Sequence, residues 1–427
     1  MSQRDLSSGR VSRRRLPRAL AASALAASLA VSAALPAAAA PAPPASRNGT
    51  ETPRDRLQRL ARNLVEAGAP GVIVRVDDGG GRPFEIAEHA PWTERDHPLA
   101  AGDEFRVGSN TKTMTATIVL QLVAEGRLAL TDPVEKWLPG AVPNGKAITL
   151  RMLLNHTSGL FDYTEDAELL PSMLGKDRRR WTSAQLLAVG VKHDPLFAPG
   201  TRWAYSNTGY AAIGAVLERV TGASLADLVR DRIARPLGLQ HTYLATDGTW
   251  RGPYAHGYEP DAAHMPPGVP TEFRDFAGPH RNGHVDVSGI DPGWGGMAGA
   301  VVSTTRDWAR FHTALMSGRL LPAAQLAEMR TTVPSNPARP DAGYGLGIAT
   351  GTTPCGTFWG HDGGMPGYLT ATLTDRAGGR TASFLISTDF WAEFDADPKL
   401  AEAADAFQTA VTCAMFGKPV PDAAHAG

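Results

Sequence analysis

The sequence predicts an α/β protein: a mixed, mainly antiparallel sheet built from both ends of the chain, flanked by helices and carrying an all-helical lobe. Three observations lead there. Segments with strand character occur near residue 72 and again beyond residue 344, while the stretch between them is dominated by helix-like pieces broken at Pro and Gly. The first 40 residues differ in kind from the rest of the chain, so the folded part begins close to the first strands. No internal repeat divides the chain.

Taken in order, Arg4, Arg10, Arg13, Arg14, Arg15 and Arg18 precede an Ala/Leu-rich run over 19–34, the small residues Ala37 to Ala40, and Pro41. This is the pattern of a secretory signal, and 12–16 loosely match a twin-arginine motif. The run is too weakly apolar for a retained anchor, and no later segment could span a bilayer. A secreted protein without a permanent membrane anchor is expected, with 1–40 as signal peptide, 41–51 as linker, 52–417 as one domain and 418–427 as a flexible tail. Loss of 1–40 removes six Arg and one Asp and takes the formal net charge from −1 to −6, which leaves nucleic-acid binding without an electrostatic basis. Cys355 and Cys413 are the only cysteines. An even count in an exported chain predicts one disulfide, with two buried free thiols as the alternative.

Thr52-Pro53 starts a helix to about residue 67, with Leu57, Leu60 and Leu64 on one side. Residues 72–76 alternate as a strand, 77–82 turn, and 84–87 supply a hairpin partner. A helix from about Ser109 buries Met114, Ile118 and Leu122; helical pieces follow over 132–138, 150–154, 183–187, 211–220 and 224–233. Residues 245–293 are Gly/Pro/His-rich and read as a long irregular loop framing a cleft. Thr304 and Asp307 make a capping box for a helix through 315. Strands are predicted over 344–349, 355–359, 368–374 and 381–387, with a turn over 375–380, and a last helix over 400–414.

The chemistry centres on Ser109 and Lys112. Three apart at a helix start, a hydroxyl and an amine lie on one face, beside a backbone N–H and the positive end of the helix dipole. That is the arrangement of an acyl-enzyme serine hydrolase. In Tyr205-Ser206-Asn207 a phenol beside the pair could relay protons, and an amide could orient a substrate carbonyl or the Lys. His361-Asp362-Gly363 follows Trp359-Gly360 on a strand whose glycines would admit a substrate backbone. His156, in a polar turn after a helix end, reads as a structural histidine bonding local backbone.

Together, Ser-x-x-Lys, "LNHTSGLFDY", "PGTRWAYSNTGY" and "YGLG…WGHDGG" resemble the penicillin-recognising serine hydrolases over roughly residues 55–415. The branch resembled is that of secreted D-alanyl-D-alanine carboxypeptidases related to class C β-lactamases. The resemblance implies a β-lactamase/DD-peptidase-like fold with the site between sheet and helical lobe. It implies Ser109 as nucleophile, Lys112 as its base, Tyr205 as proton relay, Asn207 holding the substrate amide, and His361 with Gly363 forming the third edge of the site. An oxyanion hole would come from the N–H groups of Ser109 and Gly364, and Trp294 would wall the cleft. Related carboxypeptidases carry Thr or Ser at the positions of Asp362 and Gly364, and some place a basic residue in the segment occupied here by Ile348-Ala349-Thr350. The anchor for a free D-Ala carboxylate is therefore weakened.

The expected enzyme is a D-alanyl-D-alanine carboxypeptidase acting on peptidoglycan-like D-amino-acid peptides, as a monomer without cofactor or metal. The alternatives are a β-lactamase, esterase or D-amino-acid amidase of the same fold, whose substrate would be a β-lactam, ester or amide, and a catalytically inactive cell-wall-binding module. A zinc hydrolase built on His256, His264, His280 and His284 is a different class; their spacing fits no usual zinc motif.

Overall fold

The computed structural model describes residues 51–420 apart from 268, 337–338, 340 and 394–396. The signal expected over 1–40, the linker up to residue 50 and the tail from 421 lie outside the described residues.

Thr52 caps helix α1 (Pro53–Glu66) by accepting from the Asp55 N–H, Pro53 stands in its first turn, and Leu57, Ala61 and Leu64 are buried. Strands β1 (Gly71–Asp77) and β2 (Phe84–His89) form the expected hairpin. Helices α2 (Thr111–Ala124), α3 (Asn207–Thr221) and α4 (Thr305–Met316) belong to the middle of the chain. Six strands follow: β3 (Val333–Pro334), β4 (Gly343–Tyr344), β5 (Ala349–Thr353), β6 (Gly356–Met365), β7 (Tyr368–Thr374) and β8 (Thr381–Ile386). Helix α5 (Pro398–Met415) comes last. The eight strands make one sheet in the order β2-β1-β8-β7-β6-β5-β4-β3, with antiparallel pairings throughout. Pairing of β1 with β8 closes the sheet from its two chain ends, as the strand distribution predicts.

Alternation sends the two faces of each strand to different cores. Val72, Val74 and Phe384 pack with Leu57 and Leu64 of α1 and Phe407 of α5. Ile73 and Leu385 face the opposite way, joining Trp308 and Phe311 of α4 and the helical lobe. Cys355, just before β6, is disulfide-bonded to Cys413 of α5. Closing that 58-residue separation is worth about 4 kcal/mol in the chain-entropy model.

Four local expectations need correction. First, α2 is buried on every side from Thr111 through Leu120, not along one apolar stripe. Its threonines make this tolerable by finding acceptors: Thr113 Oγ1 donates to Gly347 O at 2.6 Å and Thr115 Oγ1 to Met297 O at 2.7 Å. Second, residues 344–349 are not one strand. Gly347 has φ +67° and packs so closely on α2 that a Cβ would stand 2.5 Å from Lys112 O, so the chain turns there and splits into β4 and β5. Third, 245–293 is not irregular throughout. It holds a three-stranded sheet (Tyr258–Pro260, His284–Asp286, His280–Arg281) and a cluster around Phe273, Phe276 and Val287. Fourth, Thr304 caps α4, but the Asp307 carboxylate accepts from His241 N and Thr242 Oγ1.

One feature of the sheet creates the site. Strand β5 pairs with β6 only as far as Gly360, which leaves the outer edge of residues 361–365 without a strand neighbour among the described residues. The Asp375 N–H bonds Arg380 O at 3.2 Å where β7 turns into β8. Counting back by twos, Thr370 and Thr372 address β6, and His361 and Gly363 are their bonded partners. The N–H and C=O of Asp362 and Gly364 therefore point to the open edge.

Candidate active site

The nucleophile turn begins at Gly108, whose φ of +55° lets the chain enter a 3₁₀ turn (Gly108–Asn110) and then α2. A Cβ on Gly108 would lie 2.8 Å from Gly364 O, so this backbone approach to β6 requires glycine. Asn110 latches the turn in place. Its Nδ2 donates to Thr370 Oγ1 at 3.0 Å, and its Oδ1 accepts from Trp308 Nε1 at 3.2 Å. Ser109 is thereby held against the open edge of β6, where it lines a pocket with Tyr205, Asn207, Trp294, Gly363 and Gly364.

Lys112 lies beneath Ser109 with no solvent exposure. Its Nζ donates to Ser109 Oγ (3.0 Å), Asn207 Oδ1 (2.7 Å) and Ala298 O (2.9 Å). It also stands 4.6 Å from the centre of the Tyr205 ring. Burial lowers its pKa to about 7, and Asp162 and Asp362 oppose the shift without cancelling it. An amine half deprotonated near neutrality, touching the Ser109 hydroxyl, can take that proton. The phenol of Tyr205 cannot serve as the resting base. Burial holds it well above its ordinary value, an effect the Ser109 hydroxyl only moderates, so it stays protonated as a donor. Its hydroxyl is buried without a hydrogen-bond partner of ordinary geometry.

Asn207 faces inward. Its amide carbonyl accepts from Lys112, while Nδ2 donates to Asp162 Oδ2 at 2.9 Å and its backbone N–H to the same oxygen at 3.1 Å. Both ends of the amide have partners within the protein, so it supports Lys112, and Asn207 also lines the pocket beside Ser109. Asp162 is the residue that sequence reasoning missed. It stands inside "LNHTSGLFDY", and its only signal was that a carboxylate near a buried amine matters.

Removing this charge gives a prediction. Without the carboxylate Lys112 is less favoured as a cation, so Asp162→Asn should move the acidic limb of the pH–kcat/KM profile to lower pH and reduce its plateau about tenfold. A profile unmoved along the pH axis would mean that Asp162 does not act through Lys112.

His361 is on β6, but its ring does not line the pocket. It turns to Tyr344, with Nε2 2.8 Å from the phenol oxygen, because alternation puts it on the face opposite Asp362. His156 is fully buried with φ +63°; its Nδ1 accepts from Ser206 N at 3.2 Å and its ring packs 4.3 Å from that of Tyr205. Burial keeps it neutral, with its pKa well below the usual range. It is structural, but the backbone it holds is not local as expected: its partner, Ser206, is 50 residues on, in the Tyr205 segment. Trp294 walls the pocket, and Met173, Met365, Leu369 and Phe390 complete its apolar part.

The four histidines of the zinc reading, His256, His264, His280 and His284, lie on or around the small sheet and none lines the pocket. His256 Nδ1 is 2.7 Å from Asp286, His264 Nδ1 is 2.7 Å from Asp261, and His284 stacks on Trp92. Among the described residues, Asp96, His256 and Asp286 bring ligand atoms within 4.8 Å of one another, but Asp96 already holds Arg281 and the Tyr258 hydroxyl.

A Ser-x-x-Lys pair at a helix start, a phenol over the amine and an open strand edge, within this antiparallel sheet and helical lobe, define a serine hydrolase of the penicillin-recognising superfamily. A family model described as Beta-lactamase matches residues 57–406, and the chain belongs to that family. Its similarities reach several kinds of member. Penicillin-binding protein 4* of Bacillus subtilis is 30% identical over 75% of this chain and 68% of its own length. The D-stereospecific amidohydrolase from a Streptomyces species is 37% identical, with a TM-score of 0.70 over 82% of this chain and 97% of that one. The D-amino acid amidase from Ochrobactrum anthropi SV3 is 25% identical, with a TM-score of 0.72 over 84% of this chain and 99% of that one.

Proposed function

We propose that the protein is a secreted acyl-serine hydrolase of D-amino-acid amides and esters. The observation that carries the chemistry is the contact of Lys112 Nζ with Ser109 Oγ at 3.0 Å, on an amine whose pKa is lowered to about 7. Neutral Lys112 takes the hydroxyl proton as Ser109 attacks the substrate carbonyl. The developing oxyanion is received by the N–H groups of Ser109 and Gly364, the latter aimed outward by its place on the open edge. Tyr205 passes a proton to the departing nitrogen or oxygen, and water then releases the acyl group by the reverse route. The serine needs no metal or cofactor for these steps.

The nature of the wall favours neutral leaving groups. Among the described residues lining the pocket, Asp162, Asp362 and Asp389 are acidic and none is Lys, Arg or His. A substrate carboxylate would meet repulsion and no basic partner. The hydroxyl that related carboxypeptidases carry at position 364 has no simple substitute, since a Cβ on Gly364 would lie 2.6 Å from Asp389 Oδ2. Similarity to the two D-specific amidohydrolases agrees with this substrate class. Similarity to penicillin-binding protein 4* favours a second reading, D-alanyl-D-alanine carboxypeptidase. Secretion rests on the signal pattern in residues 1–40 and is in keeping with the disulfide. Among the described residues no helix is long and apolar enough to cross a membrane.

The test compares leaving groups on one acyl-D-alanine. The methyl ester and amide should be cleaved with kcat/KM comparable to or above that of the acyl-D-Ala-D-Ala free acid. A hundredfold preference for the free acid would overturn the amide and ester reading in favour of the carboxypeptidase.

A further inference from the structure

We propose that Asp389 recognises a free α-ammonium group on the acyl side of the substrate, so that the preferred substrates are unblocked D-amino-acid amides or esters. This rests on the acyl-serine reading above and adds which acyl group the site selects.

The placement of Asp389 follows from the strand edge. Gly364 presents both its N–H and its C=O to the cleft. A substrate carbonyl seated on that N–H carries its α-substituents on the adjacent carbon, within reach of the Gly364 C=O and of whatever stands beside Cα of Gly364. What stands there is the Asp389 carboxylate, whose oxygens would lie 2.6 and 3.1 Å from a Cβ at position 364. Asp389 also lines the same pocket as Ser109. An α-ammonium there would meet a backbone carbonyl and a carboxylate, the pairing that three N–H donors need. A blocked, uncharged nitrogen keeps a single N–H and would gain neither the charge interaction nor the other two donors, and an acetyl group would have to displace the wall.

That wall is fixed in place. The carboxylate of Glu259, fully buried in the small sheet, accepts from the N–H groups of Asp389 (3.0 Å) and Phe390 (3.2 Å), from Thr388 Oγ1 (3.1 Å) and from Gly367 N (2.6 Å). One buried group thus ties the segment bearing Asp389 to the β6–β7 turn that ends the open edge. A wall held this way is preorganised for a ligand and does not collapse onto Ser109. The neighbouring apolar groups, Met173 and Phe390 among them, suit a bulky side chain beside the ammonium.

The test uses D-phenylalaninamide and N-acetyl-D-phenylalaninamide, with the matched methyl esters if the amides are slow. Wild type should favour the free amine at least about tenfold in kcat/KM at pH 7. Asp389→Asn should cut that ratio by about tenfold to a hundredfold, the usual worth of a hydrogen bond to a charged group. Wild type alone offers a second measurement. The ratio should fall as pH rises through about 8, where an α-amino group deprotonates. Lys112 sets the reactivity of the serine toward both substrates and cancels in the ratio. The Asp162 and Asp362 carboxylates in the same pocket also attract an ammonium, and Glu259, raised by burial to about 7, holds the wall. These groups are unchanged in Asp389→Asn, so the loss of preference in that variant is what assigns it to Asp389. A wild-type ratio near or below one, a ratio unchanged in Asp389→Asn, a ratio flat with pH, or failure to cleave either member of both pairs would each overturn the proposal. Ser109→Ala measured in parallel separates this from the reading beneath it. Turnover surviving in that variant overturns the acyl-serine reading, whereas serine-dependent turnover with no amine preference overturns only the role of Asp389.

Discussion

Ser109→Ala should abolish covalent labelling by a fluorescent penicillin and lower turnover at least about a thousandfold, with the protein still folded. The size of the effect follows from the step removed. Without Oγ there is no acyl intermediate, and residual hydrolysis must come from water attacking a carbonyl polarised by the oxyanion hole alone. Folding should survive because the turn is held by neighbours of Ser109: the Asn110 contacts to Thr370 and Trp308, and Thr370 Oγ1 donating to Val107 O at 2.9 Å. Mass spectrometry of the penicillin-treated protein reads the adduct directly, and circular dichroism checks the fold. Labelling that persists in Ser109→Ala would place the nucleophile elsewhere.

Lys112→Ala should abolish acylation to a similar extent, and the wild-type pH profile should show why. The sign follows from the direction of the shift. Burial lowers the amine to about 7, so below that pH Lys112 is a cation unable to accept the serine proton, and above it the neutral base accumulates. The acylation rate should therefore rise with pH, reach half its plateau near pH 7 and level off about one unit higher. Glu165 and Glu259 are also raised to about 7 by burial, so the limb needs assignment. Removing the Asp162 carboxylate should displace a limb that belongs to Lys112 and leave one that belongs to Glu259; because Asp162 also raises Glu165, Glu165→Gln, which should leave a Lys112 limb in place, completes the assignment. Stopped-flow acylation from pH 5 to 9 gives the measurement. Near-wild-type acylation in Lys112→Ala would remove the amine from the mechanism.

The elements easiest to foresee were those whose signals are local. Thr52-Pro53 starts α1, β1 and β2 form a hairpin, and α5 follows its apolar spacing, because capping, turn chemistry and periodicity are properties of neighbouring residues. The errors came where distant segments decide. Residues 344–349 have strand composition, but contact between Gly347 and the backbone of α2 bends them. The loop over 245–293 has little periodicity of its own, yet its short strands are stabilised by pairing with each other and by a cluster shared with Phe390.

The sequence by itself determined the chemical pair and the class. Ser109 and Lys112 are one helical turn apart, and their contact follows from helix geometry once the helix exists. The order of the surrounding motifs identified the superfamily without any coordinates. Only the tertiary structure decided what those groups can do. The lowered pKa of Lys112 is a property of burial, and burial depends on segments from α3, the Ala298 turn and β6 closing around one amine. The inward turn of His361 away from the cleft, the anchoring of Asn207 on Asp162, and the meeting of Gly364 with Asp389 all join residues tens of positions apart or fix the face of a strand. Desolvation and side-chain facing are set by what packs against a residue, and no pattern of its sequence neighbours carries that information.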